Sequence, residues 1–328
     1  MDPTGVRTLG NLDVAASAAP EATGEDWTRD ARYLEYTSAA DPIGSGHTPR
    51  VPLRRFGASL YSEGPTRVVP LDLSTELDVP GPATSPGLLA SFVRINAGES
   101  LPTRPSATSE LYYVMRGRGA SEIDGRTVEW EEGDFLTLPA GCASTHAALQ
   151  DSTLYWVHDE PLLRYLGVAP AERRFRPTKF PRERVARELE LIAAQPAASS
   201  RNRVSVILAN AAQHRTLTAT HVLWAMFGLL PAGKAQLPHR HQSVALDLIL
   251  DCEPGCYTLV GPRLGPDGAI EDATRIDWEP GGAFVTPPGA WHAHFNESGA
   301  PAHLIPVQDA GLHTYLRSLD IRFSTRRP

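Results

Sequence analysis

The sequence predicts an all-β protein of two small barrels joined by one helix, and three observations carry that prediction. Short runs rich in Val, Ile, Leu, Phe, Tyr and Trp are cut at close intervals by turn residues, with 29 Pro and 27 Gly in 328 positions. That is the texture of a many-stranded β fold. One segment, PRERVARELELIAAQP (181–196), breaks it: Val185, Leu189 and Ile192 fall at helical spacing, and Pro181 sits where a helix can begin. The stretches on either side of this segment also repeat one another weakly, which is the mark of a duplicated unit.

In chain order, residues 1–50 are polar and rich in Ala, Thr, Ser and Gly, with one aromatic spot, RYLEYT. They read as a loose N-terminal arm. The first β unit is expected over 51–170. Its strands are LLASFVRI (88–95), SELYYVMRG (109–117), DFLTLPAG (134–141) and STLYWVHD (152–159), each rich in β-branched and aromatic residues and bounded by Gly or Pro. The linker helix opens the second unit, 171–328. There RVSVILAN, ATHVLWAMFGLLPAG, SVALDLILD, CYTLVG, GAFVTPPG and AHLIPVQD again read as strands. A chain of 328 residues suits two domains of roughly 150 residues each.

The formal charge is −7, from 31 basic and 38 acidic residues. That balance argues against nucleic acid and anionic membranes as partners. No apolar run approaches a membrane span, and the N-terminus lacks the basic and apolar regions of a secretory signal. Cys142, Cys252 and Cys256 make neither a disulfide framework nor a complete zinc site. A reduced, cytoplasmic protein is expected.

The repeat locates the chemistry. In the second unit Gly233 precedes KAQLPHRHQSVALDLIL, and EPGGAFVTPPGAWHAH brings a further histidine, His292. Residues two apart on a strand share a face, so His239 and His241 project together, and the Pro-Gly turn before His292 can bring a second strand opposite them. Three imidazoles inside a barrel suit Fe, Mn, Ni, Cu or Zn. A single histidine here would read as an ordinary polar residue at a barrel mouth. Three at these spacings do not.

These motifs resemble the two cupin signatures. Gly233, His239 and His241 fit the first, and Gly281, Pro287, Gly289, His292 and Asn296 fit the second. The resemblance implies two cupin barrels, that is, double-stranded β-helices or jelly rolls. Cupins commonly add a Glu four or five residues after the second histidine, but this chain has Ala245 and Leu246. Three neutral ligands leave a divalent ion its full charge and open positions. Such a site favours an anionic chelating substrate and dioxygen, so it points to oxygenase chemistry more than to an isomerase or sugar binder.

HRHQSVALDLIL together with GAWHAH resembles the metal barrel of the gentisate 1,2-dioxygenase and salicylate dioxygenase family, bicupins that open aromatic rings with Fe(II) and O2. The resemblance covers about 160–325. It implies Fe(II) held by His239, His241 and His292, with Ala245 where other cupins carry Glu. It makes Trp224 a wall of the substrate pocket and His294 a catalytic group that assists substrate or oxygen. It also implies a small aromatic substrate and a homo-oligomer. The first unit resembles the family's metal-free barrel. Its would-be ligand positions read Arg104, Ser106, Glu110 and Ser144, and His146 reads as a hydrogen-bonded structural histidine.

Two features depart from the family. The metal barrel comes second in the chain rather than first. Asp247, on the same strand face as the histidines, stands where the ring-cleaving enzymes place an arginine for the substrate carboxylate, a task suited to its planar fork. Gly228 stands near a lost substrate-contacting glutamine. Asp247 could recognise a substrate amine or hydroxyl, act as a general base, or only pair with an arginine or a backbone N–H. Each reading makes gentisate and salicylate poor substrates. The expected activity is ring cleavage of another hydroxylated or amino-substituted aromatic compound. The alternative is a metal-binding cupin that is a hydrolase, isomerase or sensor.

Overall fold

The computed structural model describes residues 27–324, the side chains of residues 199 and 200 excepted. Residues 1–26 of the expected arm lie outside the described residues. The rest of the arm carries one short helix, Tyr36–Ala39, whose first turn is capped by the Glu35 carboxylate. Trp27, Tyr33 and Tyr36 are exposed.

Two six-stranded antiparallel sheets dominate the molecule. The first runs in the order Thr178–Phe180, Phe135–Pro139, Ser109–Arg116, Ser152–His158, Leu89–Ile95, Arg67–Pro70. The second runs Arg54–Phe56, Ala283–Thr286, Ala245–Asp251, Ala302–Gln308, Trp224–Leu230, Val204–Leu208. A smaller sheet closes each barrel. In the first it contains Ser100–Thr103, Ser144–Ala148, Arg118–Ile123 and Arg126–Glu131; in the second, Thr274–Asp277, Cys256–Gly261, Trp291–Asn296, His239–Arg240 and Arg322–Phe323.

Alternation along the strands shows where the cores lie. Val93, Ile95, Tyr112, Val114, Leu154 and Trp156 fill the first barrel. Their sequence neighbours Phe92, Leu111, Tyr113, Tyr155 and Val157 turn outward and meet Leu246, Leu248, Val285, Ile305 and Val307 of the second barrel. Both large sheets are therefore buried on both faces, which is why their strands read as nearly continuous apolar runs. The second barrel's own interior holds Leu230, Ile249, Cys256, Trp278, Phe284 and Leu304.

The expected strands and linker helix form. The helix spans Arg182–Ala193 with Pro181 as its N-cap, and buries Val185 and Leu189. Two features cross the expected boundary between residues 170 and 171. Arg54–Phe56 pairs with Ala283–Thr286 of the second barrel, and Thr178–Phe180 pairs with Phe135–Pro139 of the first. Each barrel thus takes an edge strand from the other's side of the chain.

Two short helices, Glu160–Leu166 and Ala310–Leu316, follow the last long strand of each barrel. Each is entered from an aspartate that accepts backbone N–H groups, buried at Asp159 and half-buried at Asp309. Asp159 takes Thr108 N and Ser109 N, and Asp309 takes Val244 N. No helix among the described residues is long and apolar enough to cross a membrane.

Candidate metal centre

His239 lies directly opposite His292 in the antiparallel pairing of His239–Arg240 with Trp291–Asn296. His241 follows one residue beyond that short strand, and its carbonyl accepts the Gly289 N–H at 2.7 Å. Gly289 has φ of +76°, the left-handed conformation that suits glycine, so the Pro-Gly turn locks onto the His-x-His strand through the backbone. The three side chains are buried, and their ligand nitrogens lie within 4.8 Å of one another.

The tautomers fit a metal. His239 Nδ1–H donates to the Leu237 carbonyl at 3.1 Å, His241 Nδ1–H to the Ser243 carbonyl at 2.8 Å, and His292 Nδ1–H to the Ala290 carbonyl at 3.0 Å. Each Nε2 keeps its lone pair, the arrangement that histidine ligands use. His241 Nε2 is buried with no hydrogen-bond partner in the protein. Burial pushes the His241 pKa down to about 4 and holds His239 and His292 well below the usual histidine range, so the imidazoles are neutral and ready to coordinate. No other group of three or more His, Cys, Asp or Glu side chains among the described residues is placed to hold a metal.

A cavity of about 360 Å³ opens beside these histidines. Trp224 and Met226 line it from one strand, Arg203, Ser205 and Ile207 from the next, and Phe323 closes one side. The Trp224 indole Nε1–H is buried and has no partner in the protein. Gly228 lies on the same strand face, and a Cβ there would stand 3.0 Å from Ser205 Oγ and 3.3 Å from the Leu304 side chain, so those side chains would have to give slightly.

Arg203 is the residue that sequence reasoning missed. It is half-buried, and its Nη2 donates to His239 Nε2 at 3.0 Å. Burial pulls its pKa down, and Asp247 opposes that shift. The available signal was the alternation of Arg203, Ser205 and Ile207 against Val204 and Val206.

Asp247 is 2 % exposed. Thr286 Oγ1–H donates to its Oδ2 at 2.8 Å. Burial pushes its pKa up to about 6, against the Thr286 hydrogen bond and the field of Arg203. The two charges sense one another without a close ion pair. His294 is also buried, and its Nδ1 lies 2.7 Å from Thr258 Oγ1. Its ring centroid is 6.0 Å from that of His239 and 5.8 Å from that of His292.

In the first barrel one expectation is corrected. Strand pairing sets Thr103 opposite Ser144, as His239 is set opposite His292. Thr103, not Arg104, therefore occupies the first ligand position, and Arg104 and Ser106 are exposed. A one-residue shift of register exchanges the two faces of a strand, and spacing alone did not fix it. The interior instead holds a network of hydroxyls around His146, which is fully buried and hydrogen-bonded at both nitrogens, as a structural histidine should be.

Comparison with known proteins agrees with this geometry. The cupin domain family matches residues 91–158, in the first barrel. A 5-aminosalicylate 1,2-dioxygenase of a Comamonas species is 22% identical over 262 residues, covering 69% of this chain and 66% of that protein. A 5-nitrosalicylic acid 1,2-dioxygenase of a Bradyrhizobium species is 28% identical over 88 residues, covering 26% of this chain and 42% of that protein. The chain thus spans less than two thirds of the length of either relative. The crystal structure of salicylate 1,2-dioxygenase from Pseudoaminobacter salicylatoxidans superposes with a TM-score of 0.68 at 15% identity, over 89% of this chain and 90% of that one. With two cupin-fold barrels and a three-histidine cluster in the second, the chain is similar to these 1,2-dioxygenases.

Proposed function

We propose that the protein is a non-haem Fe(II)-dependent dioxygenase that opens the ring of a hydroxylated or amino-substituted aromatic acid other than gentisate or salicylate. One observation carries the reading. Three neutral imidazoles converge through Nε2 beside a cavity that also holds a half-buried guanidinium, Arg203, and an unpartnered indole N–H, Trp224. The names of the two ring-cleaving relatives support the substrate class.

Bound iron would supply a redox-active Lewis acid at which a chelating substrate and O2 meet. His239, His241 and His292 would hold it. The chain's other residues then divide the work. Arg203 turns from His239 to the substrate carboxylate, which its fork can meet bidentately. Trp224 lies along the ring and donates its free N–H to a ring substituent. Asp247, held by Thr286, sets specificity from the interior by accepting from an amino or hydroxyl group. It also lowers the cost of keeping Arg203 charged in a half-buried place. Ile207 and Phe323 keep the mouth apolar.

A homo-oligomer is part of the proposal. Trp27, Tyr33 and Tyr36 of the arm are exposed in the single chain, as surfaces covered by a neighbour would be.

The test is oxygen uptake. Protein loaded anaerobically with Fe(II) is mixed with air and a panel of aminosalicylates, nitrosalicylates and aminophenols. Uptake matched by loss of the aromatic absorption is expected with at least one acid, and weaker uptake with gentisate and salicylate. If the iron-loaded protein consumes no electron-rich aromatic compound, the reading is wrong.

A further inference from the structure

Both barrels contain the same three-residue unit. In the first, Trp130 Nε1–H donates to Ser121 Oγ at 2.9 Å, and Ser121 Oγ lies 2.6 Å from His146 Nδ1. In the second, Trp278 Nε1–H donates to Thr258 Oγ1 at 2.8 Å, and Thr258 Oγ1 lies 2.7 Å from His294 Nδ1. The strand pairings match, Ser121 with His146 and Thr258 with His294.

In the first barrel one set of hydrogen-bond directions follows when Glu110 Oε2 acts only as an acceptor. Trp156 can only donate, so Glu110 Oε2, 3.1 Å away, is an acceptor. Tyr112 OH therefore also donates to that oxygen, at 2.7 Å. Its one hydrogen is then used, so the Tyr112 oxygen accepts from Thr103, 2.8 Å away. Thr103 Oγ1 in turn accepts from His146 Nε2–H at 3.0 Å. Burial keeps His146 neutral, its pKa pushed down to about 4. A neutral imidazole carries one N–H, so His146 Nδ1 accepts from Ser121. The chain runs one way, from Trp130 through Ser121, His146, Thr103 and Tyr112 to Glu110.

The second barrel keeps the head of this chain and replaces its tail. Thr258 accepts from Trp278, and among the described residues the one acceptor within reach of its hydroxyl hydrogen is His294 Nδ1. Thr103, which receives the Nε2–H of His146, has its place in the second barrel taken by His239. Among the described residues the hydrogen bond of the His294 ring is made through Nδ1, not Nε2.

We infer that Trp278 and Thr258 are positioning residues that fix His294 as the Nε2–H tautomer, opposite to that of the three ligand histidines. His294 is then a hydrogen-bond donor toward whatever occupies the histidine centre, and not a base. Its role as donor during turnover rests on the proposed function. The tautomer itself does not.

The test uses full-length protein with 15N-labelled histidine, metal-free and loaded with redox-silent zinc, read by solid-state 15N NMR. His294 is assigned by difference against His294→Gln. The expected wild-type spectrum has a protonated Nε2 and a bare Nδ1 for His294, and protonated Nδ1 for His239, His241 and His292. Thr258→Val should shift His294 toward the Nδ1–H form, and Thr258→Ser should restore the wild-type pattern. A protonated Nδ1 in the wild-type protein, or a tautomer indifferent to Thr258→Val, overturns the inference. If Thr258→Val does not fold, Trp278→Phe and Thr258→Ser provide the same comparison.

In turnover, Thr258→Val should lower kcat about 10–100-fold with KM little changed. Ser121→Ala, the matching change in the first barrel, should leave kcat alone. Equal loss in both variants would make the unit merely structural. The expected tautomer in a protein that consumes no oxygen would sink the proposed activity while upholding the tautomer.

Discussion

Arg203 reaches the histidine centre from the start of the strand Val204–Leu208, with Nη2 3.0 Å from His239 Nε2. A fork of that kind reads a carboxylate by geometry as well as charge. Arg203→Lys should therefore lower kcat/KM for an aromatic acid by about 10–100-fold, mainly through KM, since a charged hydrogen bond contributes about 1.5–3 kcal/mol. The same change should matter little for a phenol without the carboxylate, and steady-state kinetics on the two substrates decide it. His292→Ala should reduce bound iron to near background while circular dichroism stays unchanged, as elemental analysis can show. The clustering of His239, His241 and His292 was legible in the sequence because a strand and a Pro-Gly turn fix their spacing locally. Arg203 was not, because it meets His239 from 36 positions upstream and no local pattern ties the two together.

At the scale of elements, the turn before His292 joins fold to site. Gly289 has φ of +76°, and its N–H holds the His241 carbonyl at 2.7 Å. Gly289→Ala should cost about 1–2 kcal/mol and weaken metal binding together with the melting temperature. In the first barrel, burial pushes the Glu110 pKa from 4.5 up to about 8, against hydrogen bonds from Tyr112 and Trp156. The fold favours the neutral acid. Its contribution to stability is full below the unfolded value of 4.5 and is lost as pH rises through about 8. Denaturation at a series of pH values should show wild type losing a few kcal/mol more than Glu110→Gln between about pH 5 and 9. Equal slopes would contradict the buried network. The long strands were readable from composition. The register that makes Thr103 the counterpart of His239 was not, because pairing across the barrel decides it.

At the scale of the molecule, the two barrels share one core and exchange edge strands. Leu246, Leu248, Ile305 and Val307 of one pack on Phe92, Leu111, Tyr113 and Tyr155 of the other. Arg54–Phe56 and Thr178–Phe180 each complete the opposite sheet. Residues 171–328 expressed alone should therefore fail to give a soluble, metal-binding barrel, and the intact chain should melt in one transition by calorimetry. Duplication of a barrel was visible in the sequence, from the weak repeat on either side of residues 181–196. The exchange was not, since three-residue strands carry almost no periodic signal. The most direct measurement for the whole account is mass spectrometry of the product formed under 18O2 by iron-loaded protein from an amino-substituted aromatic acid. Ring cleavage by a dioxygenase predicts an opened product that carries both labelled atoms. A product with one labelled atom, or with oxygen drawn from water at the bond-breaking step, would contradict it.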